Sequence, residues 1–156
     1  MNQESGHSPR KTDGALHIPT TMGEVPESHP RYASLMSRQR LVDAMKEGLL
    51  ADSALIAHGR GEAFDYLIGE RTVPGAAAAI DEVAARLLVA KRPVISVNGN
   101  TVALACDELL QIADSLGCPL EVNIYYRTPD RMAGLLERIE ARATALDLNH
   151  VEILGA

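Results

Sequence analysis

Pro93, Val94, Ile95, Ser96 and Val97 form a short, β-branched, nearly continuous apolar run that ends in Asn98-Gly99-Asn100. A run of this kind is typical of a strand buried in a parallel sheet. Helical patterns flank it on both sides. Short apolar runs alternating with helices over most of the chain predict an α/β layer fold. At 156 residues the chain fits one domain with a substantial core.

Composition narrows the function. Fifteen Lys and Arg against 21 Asp and Glu leave a net charge of −6. That balance argues against a general nucleic-acid or membrane-surface binder. No apolar run approaches the ~18 residues of a membrane span, and the polar N-terminus has no signal-peptide core. Cys106 and Cys118 have no CxxC spacing, so neither a disulfide framework nor a zinc site is expected. The expectation is a soluble, cytoplasmic domain. Residues 1–24 are rich in Ser, Thr, Gly, Pro and His without apolar periodicity and read as a flexible tail.

The first helix is expected over 31–47. Leu35, Val42, Met45 and Leu49 share one face, and Arg31 and Arg38 fall on that face. An arginine in an apolar stripe snorkels, pairs with a carboxylate, or binds an anion. A short strand is expected at 54–57, followed by His58-Gly59-Arg60-Gly61 and a helix over 62–68 with Gly69 as its cap. Glycines at a strand–helix turn let an anion approach open N–H groups, although they are more often simple geometry. Glu62, Asp65, Glu70 and Arg71 are either ligands or partners for one another.

A second helix is expected from Thr72 to Ala90, with Ile80, Val83, Ala84, Leu87 and Leu88 as its packing stripe. A third is expected after Asn100, ending at Leu116 with Gly117 as cap. Its stripe makes Cys106 a core residue. Residues 120–126 read as a strand. Thr128 and Pro129 then cap a helix through about Ala143, and 151–154 read as a last strand.

Ligands of open α/β sheets bind beyond the carboxyl ends of the strands. Three such ends carry His58-Gly59-Arg60-Gly61, Asn98-Gly99-Asn100 and Arg127-Thr128, each suited to a phosphate or carboxylate. A tight turn with positive φ is the simpler reading of Asn98-Gly99-Asn100 taken alone. No Ser-His-Asp set, catalytic carboxylate pair or HExxH motif is evident, so no catalytic residue and no metal ligand is assigned.

The strings VPESHPRY at 25–32, LIAHGRGEAFDYLIGERT at 55–72, PVISVNGN at 93–100 and EVNIYYRT at 121–128 resemble, in order, the archaeal phosphopantothenate synthetase (4-phosphopantoate–β-alanine ligase) family. The resemblance covers about 25–156. It implies a Rossmann-like three-layer sandwich with a mainly parallel sheet, and a homodimer. It also implies ATP-dependent, AMP-forming ligation of 4-phosphopantoate to β-alanine through an acyl adenylate, in coenzyme A biosynthesis. ATP would enter with Mg²⁺. The family's ATP-contacting arginines correspond to Arg38 and Arg60. His58, Gly59, Gly61, Asn98, Gly99, Asn100 and Arg127 are then candidate substrate and phosphate groups.

Family members continue through two further motif segments that this chain lacks, and Asp147-Leu148-Asn149 matches neither. The chain is therefore expected to be the N-terminal part of the ligase domain, with about four strands and an incomplete sheet. Marginal stability or self-association is expected of it alone. The alternative reading is a non-catalytic nucleotide- or phosphate-binding half-domain.

Overall fold

A computed structural model describes residues 25–155, so the expected tail at 1–24 lies outside the described residues. Five helices and three strands follow one another as α1 (Tyr32–Lys46), α2 (Ser53–Leu67), α3 (Pro74–Val89), β1 (Ile95–Val97), α4 (Gly99–Leu116), β2 (Leu120–Val122), α5 (Pro129–Ala145) and β3 (Ile153–Leu154). The strands are parallel in the order β1-β2-β3. Ile95 pairs with Leu120, and Leu120 with Ile153.

The α/β alternation is local chemistry made visible. Asn98 caps α4 through a capping box with Thr101, and Gly117 closes it in the left-handed conformation at φ 59°. Thr128 caps α5, with Pro129 in its first turn. α4 buries Val102, Cys106, Leu110 and Ala113, and α5 buries Met132, Leu135, Ile139 and Ala143. These spacings of three and four put each set on one helix face. α4 packs on β1 and β2, α5 packs on β2 and β3, and the two helices pack on each other. They therefore lie side by side over one sheet face, closing the core on Val97, Leu120 and Val122. Arg142 donates Nε and Nη2 to the Asp107 carboxylate at 2.7 and 2.5 Å, which ties α5 to α4. That fork holds the Asp107 carboxyl below its ordinary range.

α1 packs on α4 through Leu41 and Ala44, and α2 packs on α1. The face of α1 that meets α4 is thus offset from the stripe expected over Leu35, Val42 and Met45, which are only half-buried. The opposite sheet face presents Ser96, Glu121 and Leu154, with Ser96 exposed. The described residues lay one helical layer on a three-stranded sheet.

Several expectations are corrected. No strand forms at 54–57; those residues are the first turns of α2. Helix-favouring Ala54, Leu55, Ala57, Glu62 and Ala63 surround Gly59 and Gly61, and neither glycine has a positive φ. Each glycine costs a helix about 1 kcal/mol, which such neighbours and packing on α1 offset. His58-Gly59-Arg60-Gly61 is therefore helical and forms no phosphate loop at a helix start. Asn98-Gly99-Asn100 is not a positive-φ turn, because Asn98 is an extended N-cap at φ −114°. The strand expected over 120–126 stops at Val122, where its partner β1 has ended. Three strands form among the described residues, not four. On α3, Ile80, Val83 and Leu88 are exposed, because α3 only borders an open groove beside Ile112 and Leu116 of α4.

Cys106 and Cys118 are both buried and free, as their positions in the sequence suggested. Burial, reinforced by the neighbouring Asp107 charge, pushes the Cys106 thiol up to about 11. A neutral thiol is a poor nucleophile. Modification by an aromatic disulfide reagent at pH 8 is therefore expected to be at least about 100-fold slower in the native chain than in urea. Equal rates in both conditions would show that this helix pair is not closed.

Candidate functional site

β1 and β2 both end at one edge of the sheet, and the starts of α4, α2 and α5 gather there. The N–H groups of Asn98 and Thr101 are taken by the capping box. Those of Gly99 and Asn100 remain as the open donors of α4, since the first N–H groups of a helix have no partner inside it. Asn100 Nδ2 donates to the Ala54 carbonyl at 3.3 Å, which holds the start of α4 against α2. Gly99 is required by close approach. A Cβ there would stand 2.4 Å from Leu50 Cδ2 and 3.1 Å from the Leu49 carbonyl oxygen.

A cavity of about 250 Å³ opens at this edge, lined by Leu50, Ser53, Ala54, Asn98, Gly99, Asn100, Tyr125 and Arg131 among others. A second, of about 550 Å³, shares Leu50, Ala51, Tyr125, Tyr126 and Arg131 and adds Asp52, Arg127 and Thr128. Arg131 Nε donates to the Gly48 carbonyl at 3.3 Å and Nη1 to the Tyr126 carbonyl at 2.5 Å. The guanidinium is thereby fixed between the α2 approach and the α5 start. Helix N-termini beside fixed guanidinium groups make a receptor for phosphate or carboxylate.

A third cavity, of about 590 Å³, lies between α1 and α2 and is lined by residues that include Arg31, Ser34, His58, Gly61, Glu62, Asp65 and Glu70. Arg31 pairs with Glu62, and Ser34 Oγ donates to the same carboxylate at 2.5 Å. The Arg31 guanidinium also lies 5.4 Å from the centre of the Tyr66 ring. Gly69 (φ 87°) and Glu70 (φ 49°) turn the chain sharply after α2, which brings Glu70 Oε1 to 3.9 Å from Arg31 Nε.

The candidate residues thus separate. Asn98, Gly99, Asn100 and Arg127 meet at the strand ends, as the sequence implied. His58 and Gly61 line the α1–α2 cleft. Arg38 is half-buried in mid-α1, one turn beyond Ser34 on the side that faces this cleft. Arg60 is exposed. At about 100° per residue it lies roughly 200° round α2 from His58, away from that cleft. Gly59 has nothing within 4 Å of a Cβ.

The 49–53 segment, Tyr125, Tyr126 and Arg131 were missed from sequence. Arg131 did carry a signal, since a cation in the first turn of a helix opposes the dipole and needs another reason to be there. Leu50 carried none, because its role arises only from contact with Gly99.

The profile of the phosphopantothenate/pantothenate synthetase family matches residues 75–152, half of the chain. The chain belongs to this family. The family match takes in the α4 start, Tyr125, Tyr126, Arg127 and Arg131. Similarity to individual proteins extends across most of the chain. A 4-phosphopantoate–β-alanine ligase of Thermococcus onnurineus is 46% identical over 127 residues, which is 81% of this chain and 49% of that protein. One of Thermococcus kodakarensis is 48% identical over 134 residues, 86% of this chain and 49% of that protein. One of Methanosarcina mazei is 44% identical over 134 residues, 86% and 51%. The chain spans about half the length of the curated relatives it matches. Among the described residues no helix is long and apolar enough to cross a membrane.

Proposed function

We propose that this chain serves coenzyme A biosynthesis as the substrate-binding part of a 4-phosphopantoate–β-alanine ligase. The supporting observation is the 44–48% identity to three ligases of that name, combined with a cavity at the carboxyl ends of β1 and β2 that Gly99, Asn100 and Arg131 line. In this reading the fold is Rossmann-like, and the protein works as a homodimer in the cytoplasm.

The reaction joins a carboxylate to an amine, so the carboxylate oxygen must first become a leaving group. It attacks the α-phosphorus of ATP, an O–P bond forms, and pyrophosphate departs. The β-alanine nitrogen then attacks the acyl carbon, a C–N bond forms, AMP leaves with the bonding electrons, and the amine proton passes to solvent. Negative charge accumulates on phosphoryl oxygens in both steps, and preorganised donors stabilise it. The Gly99 and Asn100 N–H groups, Arg127 and Arg131 would hold phosphate at the strand ends. Arg38 and Arg60 would contact ATP, with Arg60 acting from the outer face of α2. Mg²⁺ would arrive on the nucleotide's phosphates. Among the described residues no group of three His, Cys, Asp or Glu side chains gathers to hold an ion.

The test is AMP release from ATP and 4-phosphopantoate, with and without β-alanine. AMP that depends on β-alanine supports the ligase. ATP binding without AMP supports the alternative of a non-catalytic nucleotide-binding half-domain. Arg38→Ala and Arg60→Ala are each expected to weaken ATP binding about tenfold or more, the scale of one charge-assisted contact. The melting temperature should barely change, since neither side chain pairs with another described residue. Nucleotide titrations that match the parent chain would remove both arginines from the site.

A further inference from the structure

The α1–α2 cleft differs in chemistry from the cavities at the strand ends, and the ligation uses one substrate whose chemistry also differs. Two nitrogens in it are buried without a hydrogen-bond partner: His58 Nε2 and Arg31 Nε. Buried unpaired polar atoms are costly, and with His58 in its Nε2–H tautomer both nitrogens are met by one acceptor. Two turns along α2 from His58, the exposed Asp65 carboxylate lines the same cleft and makes no hydrogen bond or ion pair to a described residue. Glu70 is held only at 3.9 Å from Arg31. Both carboxylates are exposed, and each is open to accept from a cation that enters the cleft. Gly61 opens onto the same space, and a Cβ there would meet nothing within 4 Å.

The overall charge decides between ligands. Among the residues that line it, Glu62, Asp65 and Glu70 outnumber Arg31, so the lining disfavours a bare anion, while Arg38 stands beyond the lining, further along α1. A carboxylate is accepted only if it brings its own cation.

Resting on the ligase reading above, we propose that the cleft between α1 and α2 binds a small ω-amino carboxylate, the β-alanine substrate, as its zwitterion. Arg31 Nε and His58 Nε2–H donate to its carboxylate, and Asp65 and Glu70 accept from its ammonium. The location suits delivery. Ala57 lines the strand-end cavity and the next residue, His58, lines the cleft, so the first turns of α2 separate amine from anion.

The test titrates the full chain with ¹³C-labelled β-alanine by NMR, alongside a separate ATP titration. Asp65→Asn and Gly61→Val are expected to weaken β-alanine binding at least about tenfold and to leave ATP affinity within about twofold. Gly61→Val replaces a helix glycine with a better helix former, so a loss of binding there is not a loss of fold. Propionate, which lacks the ammonium, and propylamine, which lacks the carboxylate, are expected to bind at least about tenfold more weakly, as a site with unpaired polar groups demands. Unchanged β-alanine binding in both variants, or propionate binding as tightly as β-alanine, overturns the cleft assignment and leaves the ligase reading intact. ATP binding with no β-alanine binding also overturns the cleft, and AMP release then judges the ligase separately. Absence of both ligands and of AMP overturns the two together.

Discussion

Leu110→Ala is expected to cost about 2–5 kcal/mol and to leave a large share of the chain unfolded in mild urea. Leu110 is fully buried where α4 meets α5. Its removal takes away transfer energy and leaves a cavity, because Leu135 and Ile139, also fully buried, cannot collapse into the space without moving α5. The effect is large against a domain stability of about 5–15 kcal/mol. Ile80, Val83 and Leu88 of α3 and Phe64 and Leu67 of α2 contribute little burial in this chain, which leaves the one core to carry the fold. Leu88→Ala, at a position 76% exposed, is the matched control and should unfold with the parent. Urea midpoints followed by circular dichroism decide the matter. Coincident midpoints for the two variants would mean that α4 and α5 do not close the core.

Gly99→Val is expected to lower phosphate and ATP binding about tenfold or more, together with a stability loss of about 1–3 kcal/mol. A Cβ would overlap Leu50 Cδ2 and crowd the Leu49 carbonyl, and the two further methyl groups would enter the strand-end cavity. Leu50 can rotate, but the Leu49 backbone can move only with the approach to α2. Gly59→Ala, with open space around its Cβ, should be neutral or stabilising by about 0.5–1 kcal/mol. Equilibrium dialysis with ATP and thermal melts of both variants separate a local clash from general damage. A Gly99→Val chain that binds and melts like the parent would refute the tight approach of Leu49 and Leu50.

Much of the fold was legible because its signals are short in range. Pro93 to Val97 announce a parallel strand, which forms at Ile95–Val97 with only Val97 buried, and Asn98, Gly117, Thr128 and Pro129 mark helix ends within a few residues of where they act. The core faces of α4 and α5 follow from spacing alone. The position of Asn98, Gly99, Asn100 and Arg127 beyond the strand ends follows from the same logic, since a strand followed by a helix places the intervening residues at one edge of a sheet. The His58-to-Gly61 segment was misread because two glycines are equally consistent with a turn and with a helix supported from outside. Its helical state depends on neighbours and on α1, not on the four residues themselves.

The sequence by itself determined the α/β alternation from β1 onward, the starts of α4 and α5, the Gly117 close of α4 and the burial of Cys106. In each case the groups that satisfy one another are close in the chain. Only the tertiary structure decided that Gly99 must admit Leu50, that Arg31 pairs with Glu62, that Arg38 and Arg60 diverge, and that α3 keeps its apolar stripe exposed. Those outcomes rest on contacts between residues tens of positions apart, or on the absence of a packing partner, and no periodicity within one helix encodes either.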